Sequence, residues 1–180
     1  MVPHAEEPSL ASRLCLACAM CCDGTIFDVA VMREGDAEAA KACGFQTTVA
    51  DDGREAFKLP CHHLSGTACT RYDLWRPSTC GKFQCTTQKR ALDDDIAEDE
   101  ALAHITSALQ ARDAVLALLP SGETLSDART RFQDLAASSS TLAPQDARLV
   151  VRMFAFERLL DQHFRKPGKG RLPGGQSLNA

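Results

Sequence analysis

The chain has 180 residues, of which 44% are hydrophobic and 24% are charged, and its formal net charge is −4. This length and composition allow one domain with a packed core, or one domain with an appended helical part, and they exclude a chain that is disordered throughout. The slightly acidic balance also argues against a surface that neutralises phosphates, so we expect no nucleic-acid partner.

The N-terminal segment, MVPHAEEPSLASRL, has neither the basic start nor the apolar stretch of a Sec-type signal. The sequence also contains no run of about 18 apolar residues, the length that a membrane-crossing helix needs. We therefore expect a cytoplasmic protein without membrane contact, in a compartment where thiols stay reduced. A high density of cysteine in such a protein predicts metal binding or catalysis and argues against a disulfide framework.

Four cysteines lie in the stretch CLACAMCC: Cys15, Cys18, Cys21 and Cys22. A C-x2-C step lets two thiolates turn toward one centre, and three cysteines at this spacing also begin the bacterial ferredoxin run. That run continues with x3-CP, whereas here a second cysteine follows at once. Because neighbouring side chains commonly point in different directions, we expect Cys21 and Cys22 to serve different metals or different edges of one cluster.

Short elements are predicted after this first group. The β-branched and apolar stretch GTIFDVAVM indicates a strand within residues 24–32. The segment REGDAEAAKACGF indicates a brief helix that stops at a glycine, and its Cys43 fits a small buried apolar residue outside the metal site. Asp52-Gly53 indicates a hairpin between two short strands. The first 90 residues should therefore be loop-rich, with a metal core replacing part of the missing hydrophobic core.

The second group of four cysteines has the spacing C-x7-C-x10-C-x4-C: Cys61, Cys69, Cys80 and Cys85. It lacks a second C-x2-C pair, which disfavours a plain zinc ribbon. Within it, YDLWRPSTC predicts one helical turn that ends at Pro77, because a proline pushes the residue before it out of the α region. Eight cysteines are too many for a catalytic thiol, which needs one cysteine and a base. We expect all eight to converge on one region as metal ligands.

The eight cysteines and the segment CTRYDLWRPSTCGKFQC together resemble the YkgJ-type cysteine-cluster family. That family opens with CxxCxxCC and later carries a Cys, a second Cys followed by a tyrosine, then RP and two more Cys. After the first group and Cys61, the matching positions are Cys69, Tyr72, Arg76, Pro77, Cys80 and Cys85. Members are described as zinc- or iron-chelating domains and are often labelled Fe–S oxidoreductases. The resemblance covers about residues 13–90 and implies that these eight cysteines bind metal.

Other polar residues near the cysteines leave alternatives open. His62 and His63 follow Cys61 directly, and each could ligate a metal, donate to a sulfur or be an ordinary loop histidine. Arg76 could neutralise a thiolate-rich centre or simply bond a carbonyl group. Tyr72 is expected to pack against its neighbours.

From residue 91 the pattern becomes helical. Apolar stripes at helical spacing predict three helices: Leu102, Ile105, Leu109 and Leu116; then Leu125, Ala128, Phe132 and Leu135; then Leu149, Met153, Phe156, Leu160 and Phe164. His104 and His163 should be exposed or interfacial on these helices. The Gly- and Pro-rich end, residues 166–180, is predicted to be a disordered tail.

The sequence thus predicts a small, loop-rich α+β protein. A metal-stapled cysteine domain with short strands spans residues 13–90, and about three helices over residues 91–165 pack on it. Soft thiolates suit both Zn²⁺ and iron–sulfur clusters, so two hypotheses stay open. The first, favoured by the CxxCxxC run, is an iron–sulfur protein with a redox or metal-handling role, similar to an Fe–S oxidoreductase. The second is a zinc-stabilised interaction module without catalytic activity. The protein or small-molecule partner is not specified.

Overall fold

Residues 7–166 are described by the structure, a computed structural model, and they form the loop-rich α+β fold that the sequence predicts. Seven helices and several short antiparallel strands make up this part of the chain. The tail predicted to be disordered lies outside the described residues, apart from Lys166. No helix between residues 7 and 166 is both long and apolar enough to cross a membrane.

The helices are α1 (Leu10–Cys18), α2 (Ala37–Ala42), α3 (Ser78–Lys82), α4 (Thr86–Leu92), α5 (Glu98–Leu116), α6 (Leu125–Ala137) and α7 (Pro144–His163). The strands are β1 (Val29–Val31), β2 (Thr47–Val49), β3 (Glu55–Lys58), β4 (Leu64–Ser65) and β5 (Ala68–Cys69). Strands β1, β3 and β2 pair in that order as one antiparallel sheet, and β4 pairs with β5 as a separate ribbon.

Three long helices follow the cysteine-rich half, as the apolar stripes predict. Acidic residues fill the first turn of α5, where they suit the positive end of the helix dipole. The side chains of Thr124 and Asp127 form a reciprocal capping box at the start of α6. Pro144 begins α7, at a position where its missing N–H is not needed. These local signals explain why all three helices were predictable.

Residues 7–166 form two hydrophobic cores, and the larger one draws residues from both sides of residue 90. Phe156 and Leu160 of α7 are fully buried in it, and Leu14, Met20 and Ile26 from the cysteine-rich half pack into the same core. Helix α1 also contacts α4 and α5 directly. The segment that carries the first four cysteines is therefore packed into the helical part of the molecule.

The smaller core lies around the three-stranded sheet and α2: Met32, Ala37, Ala40, Phe45 and Phe57. The predicted hairpin joins β2 to β3, with Thr48 opposite Ala56 in the ladder. The predicted brief helix is α2. Both elements form where the sequence places them because their turn and stop signals are local.

The strand expected within residues 24–32 is confined to Val29–Val31. The residues before it form no ladder, because their carbonyl groups bind buried arginines from the helical part. Arg129 donates to the carbonyl oxygen of Gly24 at 3.2 Å and also to that of the next residue. Arg165 donates to the carbonyl oxygen of Ile26 at 3.2 Å. Arg129 and Arg165 lie 105 and 139 residues from the carbonyl groups they bind. The residue pattern within 24–32 therefore gives no indication of these hydrogen bonds.

A helix forms after Pro77 and not before it. The segment before the proline makes only hydrogen-bonded turns around residues 70–74, and α3 starts at Ser78. Proline suits this position because it has no N–H to leave unpaired. The carboxylate of Asp36 accepts a hydrogen bond from the Ser78 N–H at 2.7 Å and so caps α3 from outside the segment.

Candidate functional site

Cysteines of both sequence groups meet at one cavity of about 240 Å³. Seven of the eight predicted ligands line it: Cys15, Cys18, Cys21, Cys22, Cys69, Cys80 and Cys85. The eighth, Cys61, is connected through its backbone, because its N–H donates to the carbonyl oxygen of Cys22 at 2.8 Å. All nine cysteines of the chain lie among the described residues, and all are free thiols. The two groups therefore share one region, as their spacings predict.

Helix α1 and the turn after it orient the first group. Cys15 and Cys18 are three residues apart on α1, so they lie on the same side of the helix. Ala19 ends the helix in the left-handed conformation, with a φ of 54°. This conformation is uncommon for a residue with a β-carbon. It reverses the chain so that Cys21 and Cys22 return to the cavity that the helix already lines.

The second group comes from four separate elements. Cys61 precedes β4 and Cys69 ends β5, so the ribbon carries one cysteine on each side of its turn. Cys80 lies in the short helix α3, and Cys85 is the N-cap residue of α4. The gap between Cys61 and Cys69 thus contains the β4–β5 ribbon, and the gap from Cys69 to Cys80 contains the loop before α3. The gap from Cys80 to Cys85 contains the end of α3.

Four thiols form what we call the helix-side set: Cys15, Cys18, Cys21 and Cys85. Burial raises the pKa of Cys18 to about 12, and the neighbouring Cys85 and Cys15 thiols contribute to the rise. Burial also raises the pKa of Cys21 well above its usual range, followed by the effects of Cys85 and Cys18. Three members, Cys18, Cys21 and Cys85, pack against the larger hydrophobic core.

The other four thiols form the loop-side set: Cys22, Cys61, Cys69 and Cys80. Burial raises the pKa of Cys22 to about 11, and the nearby Cys61 and Cys69 raise it further. Cys80 is exposed as a residue, but the atoms around its sulfur partly desolvate the thiol and raise its pKa to about 12, with Cys22 and Cys61 adding to the rise. Among the neighbouring thiols, Cys85 and Cys18 raise the pKa of Cys21 most and Cys61 and Cys69 raise that of Cys22 most, but Cys22 also acts on Cys21 and Cys15 also acts on Cys22.

Raised thiol pKa values argue against a catalytic thiol at this cavity. A nucleophilic cysteine works as the thiolate, which needs a lowered pKa or an adjacent base. Partial desolvation also raises the pKa of Cys15, which is exposed as a residue, and that of the half-buried Cys85. Thiols of this kind lose their protons when a metal replaces them, because metal ligation requires the thiolate.

Gln88 is a candidate functional residue that the sequence analysis missed. It is only 7% exposed, and its side-chain Nε2 donates to Cys15 Sγ at 3.3 Å and to the carbonyl oxygen of Ala11 at 3.2 Å. Its backbone N–H donates to Cys85 Sγ at 3.4 Å. Gln88 therefore connects α4 to α1 and supplies hydrogen bonds to two sulfurs of the helix-side set. The sequence alone gives no indication of this role, because a glutamine in the first turn of a helix can have many different partners.

Cys43, His62 and His63 are not among the residues that line the cavity. Cys43 packs at the smaller core, where Arg71 donates to its Sγ at 3.2 Å. The His63 ring forms a hydrogen bond with the Cys43 carbonyl oxygen at 3.2 Å. Burial, followed by the charge of His62, lowers the pKa of His63. The two histidine rings therefore lie beside the segment that contains Cys43 and not at the cavity.

His104 and His163 lie at the interface of α5 and α7, one of the two placements expected. Their ring centroids are 4.0 Å apart, and the buried Nδ1 atoms of both rings have no hydrogen-bond partner among the described residues. The backbone carbonyl of His163 accepts a hydrogen bond from Thr87 Oγ1 at 2.6 Å. The end of α7 is thus attached to the start of α4, next to the cysteine that caps α4.

The thiols fit a soft metal in type and number. Each set supplies four sulfurs, the number that structural Zn²⁺ sites and Fe–S clusters take. Among residues 7–166, however, no group of three or more His, Cys, Asp or Glu side chains is arranged to hold a metal ion. The sulfurs share a cavity without closing around a common point, so their side chains would have to turn inward to complete a site.

A comparison of the chain with models of protein families, with curated proteins and with solved structures gives no match. The chemistry of the cavity therefore has to be inferred from its own residues.

Proposed function

We propose that this protein binds metal through its eight clustered cysteines and holds an iron–sulfur centre with a redox or metal-handling role in the cytoplasm. The observation that supports this most is the meeting of seven thiols from two distant sequence groups at one cavity. Cysteines that act only as small apolar residues have no reason to converge, whereas ligands of a common centre must. The resemblance of the eight-cysteine pattern to the YkgJ-type family favours the same function.

The division of the thiols into two sets supports a second candidate, a zinc-stabilised interaction module. Structural Zn²⁺ is bound by four ligands in a tetrahedron, and four cysteines are a common ligand set. The helix-side and loop-side sets each offer that number. In this candidate the bound metal would stabilise a surface that contacts a partner, and the protein would have no catalytic activity.

Both candidates assign the same role to the protein's own residues. Helix α1, the turn after it and the N-terminus of α4 hold the helix-side set. The same turn, the β4–β5 ribbon with the residues before it, and α3 hold the loop-side set. A bound metal would supply the positive charge that lets buried, mutually repelling thiolates lie together.

Metal analysis of anaerobically purified protein tests the proposal and separates the two candidates. Iron and acid-labile sulfide in comparable amounts, with broad visible absorption, would support the iron–sulfur centre. A colourless protein with two equivalents of zinc would support the zinc module. Air must be excluded because Zn²⁺ can occupy sites that held iron. A protein that contains neither metal, and that takes up neither when reduced, would contradict both.

Three serine variants provide matched controls. Cys85→Ser should lose the metal of the helix-side set, and Cys69→Ser should lose that of the loop-side set. Cys43→Ser should keep the full metal content, because Cys43 does not line the cavity. A loss of metal in Cys43→Ser equal to that in the other two variants would show that the ligands are misassigned.

A further inference from the structure

Helix α7 has an outer face that the rest of the fold leaves exposed. Its buried residues, such as Met153 and Leu160, lie in the larger core, where α7 contacts α5 and α6. On the opposite side, Val151 is 66% exposed and Phe154 is 55% exposed. Ala147, Val151 and Phe154 follow one another at i, i+4 and i+7, so they form an apolar row along the helix. A row at this spacing is the seam that one helix offers to another.

Three exposed arginines border this row. Arg148 and Arg152 each follow a member of the row by one residue, and Arg158 lies one turn beyond Phe154. None of the three arginines forms an ion pair among residues 7–166. Arg148 and Arg152 are four residues apart, where like charges destabilise a helix. This positive charge is local, because the chain as a whole has a net charge of −4.

The acidic residues of α7 do not balance these arginines, because each of them binds another arginine. Asp146 binds Arg131 of α6 at 2.5 Å. Glu157 and Asp161 both bind Arg165, which follows α7, at 2.6 Å. The outer face therefore combines an apolar row with positive charge, and a binding partner would have to supply the negative charge.

The charge of the outer face selects among its possible occupants. A second copy that pairs through the same face would bring the arginines of both copies to one seam, where they repel each other. Residues 167–180 contain Lys169 and Arg171 and no acidic residue, so they would add positive charge only. A nucleic acid would pair its phosphates with the arginines but would leave Val151 and Phe154 without an apolar contact. An acidic helix with an apolar side satisfies both parts of the face.

We propose that the outer face of α7 binds an amphipathic helix of a partner protein, whose apolar side packs on the row and whose acidic side chains pair with the three arginines. Arginine forms bidentate pairs with carboxylates, and charges beside an apolar seam set the choice of partner in helix pairs. The row and its arginines span about three turns of helix, so the contact is small and the complex transient. The inference does not depend on a metal at the cysteine cavity.

Two synthetic helical peptides of about three heptads test the proposal on the reduced full chain. Both have Leu at the a and d positions; the acidic peptide has Glu at e and g, and the basic peptide has Lys there. Fluorescence anisotropy of the labelled peptides measures binding. The parent protein should bind the acidic peptide at least about tenfold more tightly than the basic one, and added salt should weaken that binding.

Reversal of the charge should reverse this preference. The double variant Arg148→Glu and Arg152→Glu should lose at least about tenfold in affinity for the acidic peptide and should prefer the basic one. The matched control is the double variant Arg33→Glu and Lys58→Glu, which makes the same change in net charge at exposed positions elsewhere. It should bind both peptides like the parent protein.

Loss of the apolar contact should also weaken binding. Phe154→Ser should reduce the affinity for the acidic peptide about tenfold, whereas Val49→Ser, at a position that is 65% exposed on β2, should leave it unchanged. Circular dichroism confirms that each variant folds. The comparison of the two peptides on the parent protein needs no variant, so it decides the question even where a variant does not fold.

Three results in the peptide titrations would overturn the proposal: no binding of the acidic peptide, equal binding of both peptides, or an unchanged affinity in the Arg148→Glu and Arg152→Glu variant. Binding of the parent protein to phosphatidylserine vesicles without binding of the acidic peptide would assign the face to a membrane surface instead. Sedimentation that shows a dimer of the parent protein, dissociated by Phe154→Ser, would assign it to a second copy. Either assignment would replace the helical partner.

Discussion

The two thiol sets are held by very different supports. The helix-side set lies on α1, on the turn after it and at the cap of α4, and three of its four cysteines pack against the larger core. Its sulfurs also accept hydrogen bonds from Gln88. The loop-side set comes from a turn, a two-stranded ribbon and the five-residue helix α3.

The packed helices thus position most of the backbone of the helix-side set, whereas most of the backbone of the loop-side set has little support from the rest of the fold. A ribbon of two short strands is marginal by itself in water, and none of the residues of α3 is buried. We therefore expect the helix-side set to keep its arrangement without metal and the loop-side region to depend on metal for its order. The four predictions that follow test this comparison.

Metal removal should show the largest contrast. Chelation of the loaded, reduced protein should lower Tm by about 10 °C or more, because the binding free energy of a structural site contributes to folding. Amide exchange should accelerate strongly over residues 61–82 and much less in α5, which packs in the larger core. Thermal unfolding and hydrogen exchange with and without chelator measure both effects. An unchanged melting curve, or equal acceleration in both regions, would refute the contrast.

Loss of the buried carboxylate of Glu157 should destabilise the support of the first cysteine group. Glu157 is 2% exposed and binds both Arg129 and Arg165, at 2.8 and 2.6 Å. Those arginines hold the carbonyl groups just after Cys22. Glu157→Ala removes the carboxylate that the two buried cations share, but Arg129 keeps Asp28 and Arg165 keeps Asp161 as acidic partners. We therefore expect a cost of about 3 kcal/mol, the lower end of the range for breaking a buried ion pair.

Urea unfolding of Glu157→Ala, compared with Glu38→Ala, measures this effect. Glu38 forms an exposed ion pair with Lys41 at 2.9 Å, and removal of such a pair should leave the unfolding midpoint almost unchanged. Equal midpoints for the two variants would show that the buried ion pairs do not stabilise this part of the fold.

Removal of the Gln88 amide should affect one set and leave the other alone. Gln88→Leu keeps a side chain of similar size but removes the donor to Cys15 Sγ, so Zn²⁺ affinity should fall about tenfold in the Cys69→Ser background. The Cys85→Ser background, which retains the loop-side set, should show no change. Gln110→Leu, at an exposed position on α5, controls for the substitution itself. A similar loss in both backgrounds would mean that Gln88 supports the fold as a whole.

The smallest expected effect is a pH dependence at the α5–α7 interface. Burial, then the charges of His104 and Arg90, lowers the pKa of His163, and Glu100 opposes this. The folded state thus binds fewer protons than the unfolded state in mild acid. This contribution to stability is complete above the unfolded pKa of about 6.5 and is lost as the pH falls below it.

Metal-free reduced protein should therefore have a lower Tm at about pH 5.5 than at about pH 7.5, and His163→Gln should reduce that difference. Gln110→Leu, at an exposed position on α5, removes no titratable group and should retain the full difference of the parent protein. A pH dependence that is the same in the parent and in His163→Gln would assign the effect to other groups.

Much of the fold could be predicted from local patterns. The stripes of α5, α6 and α7, the capping residues and the Asp-Gly turn act over a few residues, so the sequence indicates them directly. Helix α1 was missed because CLACAMCC was interpreted for its ligand spacing. The signal for its start, the Ser9 cap that accepts from the Ser12 N–H at 3.3 Å, lies upstream of that motif.

The candidate ligands were also visible in the sequence, because the identity and spacing of the cysteines are chemical facts that need no fold. The exclusion of Cys43 followed from the same spacing. Which thiols face each other could not be predicted in full, since that depends on the reversal at Ala19 and on where the second-group elements meet α1 and α4.

The tertiary structure alone decided the partners of the buried polar groups. Gln88 reaches a sulfur 73 residues away, Arg129 reaches a carbonyl group 105 residues away, and Arg165 reaches one 139 residues away. Propensity and periodicity describe the conformation of a segment, whereas a buried donor must find whichever acceptor the packed elements bring near it. The sequence therefore determined the elements and the candidate ligands, and long-range packing decided how the thiols are grouped and which side chains support them.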